Sequence, residues 1–60
     1  MFTVHAHYRD GSVRRATYSS VALAIASADT EHTSCDLVTV WAERSGRMLA
    51  SREDFQWRVF

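Results

Sequence analysis

The chain has 60 residues, a formal net charge of zero, and seven arginines but no lysine. This length predicts a single domain, residues 1–60, whose core can bury only about 60% of the unfolded surface. The balanced charge excludes the strong positive field of a general nucleic-acid-binding protein, and no apolar run approaches the ~20 residues of a membrane span. The only cysteine, Cys35, cannot form an internal disulfide, which favours a cytoplasmic protein.

The N-terminal segment predicts a β-hairpin. Apolar and polar residues alternate from Phe2 to Tyr8, which is typical of a half-buried strand, and Gly11 supplies the positive φ of a three-residue loop. In that register Phe2 pairs with Tyr18, and the inward residues are Phe2, Val4, Ala6, Ala16 and Tyr18. A two-residue turn would shift the register by one and direct Arg15 inward. We expect the first register, because it buries Tyr18 and leaves Arg15 at the surface.

A helix is predicted from Val21 to about Glu31, since this run is rich in alanine. Either Ser19 or Ser20 can cap its first turn by accepting a hydrogen bond from a free backbone N–H. Residues at the spacing i, i+3, i+4 and i+7 form one apolar stripe, which consists of Val21, Ala24, Ile25 and Ala28. The small side chains predict close packing of the helix on a sheet.

The second half predicts another hairpin and a short terminal strand. Leu37–Ala42 is rich in β-branched residues, Arg44–Gly46 is a turn, and Met48–Ser51 is the returning strand. Alternation from Phe55 to Phe60 predicts a fifth strand or an ordered tail. The order β-β-α-β-β, with a possible last strand, predicts an α+β fold: a two-layer domain with an antiparallel sheet and one helix on one face.

Several of these segments carry a resemblance to known proteins. The segments are Tyr8-Arg9-Asp10-Gly11-Ser12, Tyr18-Ser19-Ser20, Ala24-Ile25 with Ala28, Val38-Thr39-Val40 and Ser45-Gly46-Arg47. Over about residues 4–50 the chain looks like small proteins of actinobacteria and their phages that have no assigned activity. The resemblance implies the same fold and an origin in actinobacteria or their phages, with a location in the host cytoplasm if the protein is phage-encoded, and it implies no site residues.

Two pairs of residues have the side chains of a metal or nucleophile site. His5 and His7 share one face of a strand, and His32 with Cys35 could complete a zinc site. Because His5 and His7 face away from the helix, the sheet would separate them from His32, and we predict no metal. A thiolate at Cys35 would need a base such as His32, but a sheet with one helix leaves little room for a cleft. We therefore predict no cofactor and no enzymatic activity.

The arginines support an alternative function in nucleic-acid binding. Arg14 and Arg15 lie on the first hairpin, and Arg44 and Arg47 on the second. If both hairpins point the same way, these guanidinium groups could hold phosphates while nearby aromatic rings stack on bases. Neighbouring acidic residues weaken this field, so we expect nucleic-acid binding less than protein binding.

The apolar surplus on the face away from the helix is the strongest functional signal. With Val38 and Val40 facing inward, Leu37 and Trp41 face outward, where one helix cannot cover them. The predicted partner interface consists of His5, His7, Arg15, Leu37, Trp41, Leu49 and Trp57. The sequence thus predicts a small protein–protein interaction module that forms a homodimer and modulates a host protein. Alternatively, the C-terminal segment folds across this face and covers Trp41.

Overall fold

A computed structural model, which describes residues 1–32 and 35–60, confirms the α+β architecture. The elements are β1 (Phe2–His7), β2 (Val13–Tyr18), α1 (Val21–Glu31), β3 (Leu37–Ala42), β4 (Arg47–Glu53) and β5 (Gln56–Val59). The strands form one five-stranded sheet in the order β2-β1-β3-β4-β5, and all neighbours are antiparallel. Helix α1 packs against β1, β2 and β3 on one face of the sheet. Within the described residues no helix has the length and apolar character to cross a membrane.

The first hairpin has the register that the sequence predicts. Phe2 pairs with Tyr18, and the Tyr8 N–H donates to the Ser12 carbonyl at 2.9 Å. Gly11 has a φ of +90°, a conformation that residues with a Cβ rarely adopt. The Asp10 carboxylate accepts hydrogen bonds from the hydroxyl and the backbone N–H of Ser12, and these bonds lower the pKa of Asp10 below its usual 3.8. The loop chemistry therefore sets the register of β1 and β2.

The core between α1 and the sheet is thin because its side chains are small. Ala24 and Ala28 of the predicted stripe are fully buried, and the largest fully buried side chains are Val4, Val38 and Val40. Full burial of a valine contributes only about 1.5–3 kcal/mol. The helix can approach the sheet closely, but the apolar area that it removes from water is modest.

The C-terminal segment does not fold across the outer face, so that alternative is wrong. It forms β5, which pairs with β4 and becomes an edge of the sheet. The strand begins at Gln56 rather than Phe55, because Asp54 and Phe55 form a two-residue turn with φ values of 51° and 62°. Positive φ at both positions is the geometry of a type I′ hairpin turn. Aspartate is common at the first of these positions, but Phe55 stands where glycine is usual, so the sequence signal for this turn is weak.

Ser20 rather than Ser19 caps α1, which gives a test of the helix boundary. The Ser20 Oγ accepts from the Leu23 N–H at 3.1 Å. We predict that Ser20→Ala lowers the free energy of unfolding by about 1 kcal/mol, because one first-turn N–H loses its partner. In a domain of this size that corresponds to a melting temperature lower by roughly 4–8 °C, measured by circular dichroism. Ser19→Ala is the matched control, and an equal loss in that variant would contradict the assignment.

Candidate interaction surface

The outer face is the face of the sheet opposite α1. Strand alternation directs these side chains to it: Thr3, His5, His7, Val13, Arg15, Thr17, Leu37, Thr39, Trp41, Met48, Ser51, Glu53, Gln56 and Arg58. Within the five strands, Arg15, Glu53 and Arg58 are the only formally charged residues of this face. No segment in residues 1–32 or 35–60 packs over it as α1 packs over the inner face. The outer face is therefore a broad surface of low charge.

Trp41 lies near the centre of the outer face, on the middle strand β3. Its ring centroid is 6.1 Å from that of His5 on β1, and Met48 on β4 pairs with it from the other side. The indole N–H donates to the Thr39 Oγ at 2.9 Å, and Thr39 is only 7% exposed. With its N–H satisfied within the sheet, the half-buried indole exposes mainly apolar surface.

The structure brings five of the seven predicted interface residues together. His5, His7, Arg15, Leu37 and Trp41 share the outer face. The two others differ. Leu49 lies at a bulge where the β3–β4 register shifts, so that Met48 and not Leu49 pairs with Trp41. Trp57 pairs with Arg52 on the helix face, and its indole binds Asp29 of α1. Trp57 therefore cannot join Trp41 in one patch, because β5 extends the sheet instead of crossing it.

The titration of His5 is coupled to its neighbours on the outer face. Burial lowers the pKa of His5 from 6.5, and the positive charge of Arg15 and the neighbouring His7 lower it further. Arg15 is directly opposite His5 in the register of β1 and β2. At neutral pH the imidazole is therefore uncharged, which keeps the surface beside Trp41 free of a buried charge.

A second group of interacting residues, the helix-end cluster, lies on the inner face where α1 ends. It consists of Asp29, His32, Cys35, Arg52 and Trp57. The Arg52 side chain is 3% exposed and forms a salt bridge of 2.9 Å with the half-exposed Asp29, while its other terminal nitrogen donates to the His32 carbonyl. The Trp57 indole N–H donates to the same Asp29 oxygen at 2.9 Å. The cluster thus ties β4 and β5 to the end of the helix.

The position of Arg52 agrees with the electrostatics of a helix end. A buried guanidinium is costly unless its charge and its N–H groups are paired. The carbonyls at the end of α1 carry the negative pole of the helix dipole, which favours a cation there. The rings of Phe55 and Trp57 also lie near the guanidinium carbon, at 5.4 and 5.9 Å from centroid to carbon. Every buried polar side-chain atom of the described residues has a hydrogen-bond partner.

The chemistry of the helix-end cluster does not form a Cys–His nucleophile pair. The Cys35 thiol donates to the backbone carbonyl of His32 at 3.0 Å, and Nδ1 of His32 shares a hydrogen bond of 2.6 Å with the Tyr8 hydroxyl. His5 and His7 lie on the outer face, so the sheet separates them from His32 as predicted. Among the described residues, no three His, Cys, Asp or Glu side chains come together in a possible metal site.

The hairpin arginines do not line one edge. Because β1 and β3 are antiparallel, with Phe2 opposite Ala42 and His7 opposite Leu37, the β1–β2 and β3–β4 turns are at opposite ends of the sheet. Arg44 is thus on the end of the sheet away from the first turn, and Arg52 is buried in a salt bridge. The condition on which the nucleic-acid alternative depends is not met.

The salt bridge between Arg52 and Asp29 was not predicted from the sequence. A signal was present: Arg52 continues the inward alternation of Ala50, and β4 extends to Glu53 rather than ending at Ser51. An arginine at an inward strand position indicates a buried ion pair, since a lone buried charge is unstable. Its partner could not be inferred, because Asp29 is 23 residues away in the chain.

Comparison with protein-family models, with curated proteins and with solved structures gives no significant match. The resemblance to small proteins of actinobacteria and their phages stays a prediction.

The salt bridge of the helix-end cluster predicts unequal effects for two Asp→Ala variants. Asp29→Ala should lower the free energy of unfolding by about 1–3 kcal/mol, because the buried Arg52 loses its counter-charge. Asp36→Ala is the matched control: Asp36 pairs with Arg9, whose side chain is 85% exposed, and such pairs contribute about 0–1 kcal/mol. Urea denaturation measures both variants. Equal losses would contradict the role of the buried pair.

The shifted pKa of His5 predicts a pH dependence. Its folded pKa lies below the unfolded value of 6.5, so between the two values the unfolded chain binds more protons. The contribution of His5 to stability is therefore complete above pH 6.5 and decreases as the pH falls toward the folded pKa. Arg15→Gln should raise the His5 pKa and weaken this dependence. NMR titration of the imidazole measures the pKa, and an unchanged value in Arg15→Gln would contradict the assigned coupling.

Proposed function

We propose that the protein is a small protein–protein interaction module that forms a homodimer through its outer face. The observation that carries the proposal is the one-sided packing of the sheet. Helix α1 packs on the inner face, and the outer face combines low charge with Trp41 at its centre. Tryptophan and arginine are common carriers of binding energy at protein interfaces.

The area of the outer face is consistent with a dimer. Five strands about 4.8 Å apart and roughly six residues long present about 480 Å² of projected area. Two such faces in contact would bury about 1,000 Å² or more, which is the lower end of specific interfaces. A second copy is the occupant that the charges favour, because nearly neutral faces can stack about 10 Å apart as in a β-sandwich without burying many charges.

The thin core is a second reason for association. The fully buried side chains are valines and alanines, so the monomer has little apolar burial to offset its chain entropy. A second copy would add apolar burial on the outer face and would stabilise the folded state by mass action. The resemblance to phage proteins extends the proposal to a cytoplasmic modulator of a host protein, in which the dimer is the active form.

Trp41→Arg tests the proposed dimer. It removes the central anchor and places like charges near a twofold axis, so it should abolish association through the outer face and lower the melting temperature. Leu23→Arg is the matched control, because Leu23 is 52% exposed on the helix side. Light scattering measures mass, and melting temperatures are compared over a hundredfold dilution.

Two results would contradict the proposal. One is a monomeric wild type whose melting temperature does not depend on concentration. The other is a loss of association in Leu23→Arg equal to that in Trp41→Arg. Binding of DNA that weakens steeply with salt would instead favour the nucleic-acid alternative.

A further inference from the structure

The edge strand β5 carries open backbone hydrogen-bonding groups. The Phe60 N–H donates to the Leu49 carbonyl at 2.8 Å, and the register pairs Arg58 with Ser51. Hydrogen bonds alternate along an antiparallel strand, so Gln56, Arg58 and Phe60 bond to β4. The backbone groups of Trp57 and Val59 therefore point away from the sheet. An extended strand is the partner that satisfies such a row of groups.

The two edges of the sheet differ in their protection against pairing. Near the opposite edge, β2 carries the adjacent exposed residues Arg14 and Arg15, and edge charges oppose strand addition. On β5 and just after it, Val59 and Phe60 are 70% and 66% exposed, and Arg58 is the only charged residue of the strand. An exposed edge with apolar side chains and few charges is a pairing surface.

We propose that β5 pairs antiparallel with β5 of a second copy across a twofold axis, which joins two sheets into one. In one symmetric register, the outward backbone N–H and C=O groups of Trp57 and Val59 all form hydrogen bonds with the second copy. In this register Trp57 of one copy is opposite Val59 of the second copy. That register makes two aromatic–aliphatic cross-strand pairs, of the kind that stabilises antiparallel ladders. Of the outer-face residues it involves Arg58 at the edge and not Trp41 at the centre, so the edge contact is separate from the proposed Trp41 interface.

The same register places Arg58 on the twofold axis, opposite Arg58 of the second copy. Directly opposed like charges destabilise a strand pair, and salt screens them. The edge contact should therefore strengthen with added salt, whereas a contact with phosphate groups would weaken. Arg58→Thr should tighten the edge contact by about two- to fivefold, which corresponds to the loss of one such repulsion.

Two separate twofold contacts predict a tetramer. A copy that uses the outer face for one partner and the β5 edge for another has two isologous interfaces, which close into a four-chain assembly when the axes are perpendicular. Each edge contact pairs about four residues and is sufficient to hold two copies together, and two such contacts acting together strengthen the tetramer further.

Val59→Pro tests the edge contact, and Val59→Ile is its control. Proline removes the outward N–H of Val59, which has no partner on β4, so the monomer loses no hydrogen bond. Isoleucine keeps that N–H and an apolar β-branched side chain at the same position, where Val59 is 70% exposed. We expect tetramers in the wild type and in Val59→Ile, and dimers in Val59→Pro. Circular dichroism checks that each variant is folded, and light scattering measures its mass.

Combination with Trp41→Arg separates the two interfaces. Trp41→Arg alone should leave edge-paired dimers, and Trp41→Arg with Val59→Pro should give monomers. Folded monomers in Trp41→Arg alone, or an unchanged mass in Val59→Pro, would overturn the edge contact and leave the proposed outer-face dimer intact. Monomers in Val59→Pro with no change in Trp41→Arg would support the edge and contradict the outer-face dimer. If Val59→Pro does not fold, an unchanged association constant in Arg58→Thr at low salt overturns the edge contact.

Discussion

The structure depends on a mismatch between one helix and a five-stranded sheet. Helix α1 has 11 residues and packs against β1, β2 and β3 on the inner face. Its Asp29 side chain bonds to β4 and β5, but the helix does not pack over these two strands as it does over β1–β3, and it leaves the whole outer face open. A two-layer domain of this length must therefore expose sheet surface, and both proposed contacts use surface that the helix does not cover.

The helix-end cluster stabilises the part of the sheet that the short helix does not pack over. An apolar residue at position 52 would lie beyond the end of α1, where no further helical turn could cover it. Arg52 reaches the end of the helix instead, and its contacts with Asp29 and with the His32 carbonyl extend the inner layer with polar bonds. Trp57 covers the same site from β5 and binds Asp29. Hydrogen bonds and a salt bridge therefore attach β4 and β5 to the helix, whereas apolar packing attaches β1–β3.

Local chemistry explains which elements could be predicted. The Gly11 turn, the alternation of β1 and the alanine-rich stripe each depend on residues within a few positions, so the register of the first hairpin and the position of α1 agree with the prediction. The end of β4, the bulge beside Leu49 and the turn at Phe55 could not be predicted from the residue pattern. The inward position of Arg52 near the end of β4 depends on Asp29, which is distant in the chain, and the turn has no glycine to mark it.

The sequence by itself determined the class of the fold, the inner-face residues of β1, β2 and β3 and the outward position of Trp41, because side-chain period and turn chemistry are local properties. Only the tertiary structure decided that β5 is an edge strand, that Trp57 faces Asp29 rather than Trp41, and that the hairpin arginines lie at opposite ends. Strand order depends on which strands pair. The energy of pairing comes from contacts between segments that are distant in the sequence, and local residue patterns do not reveal those contacts.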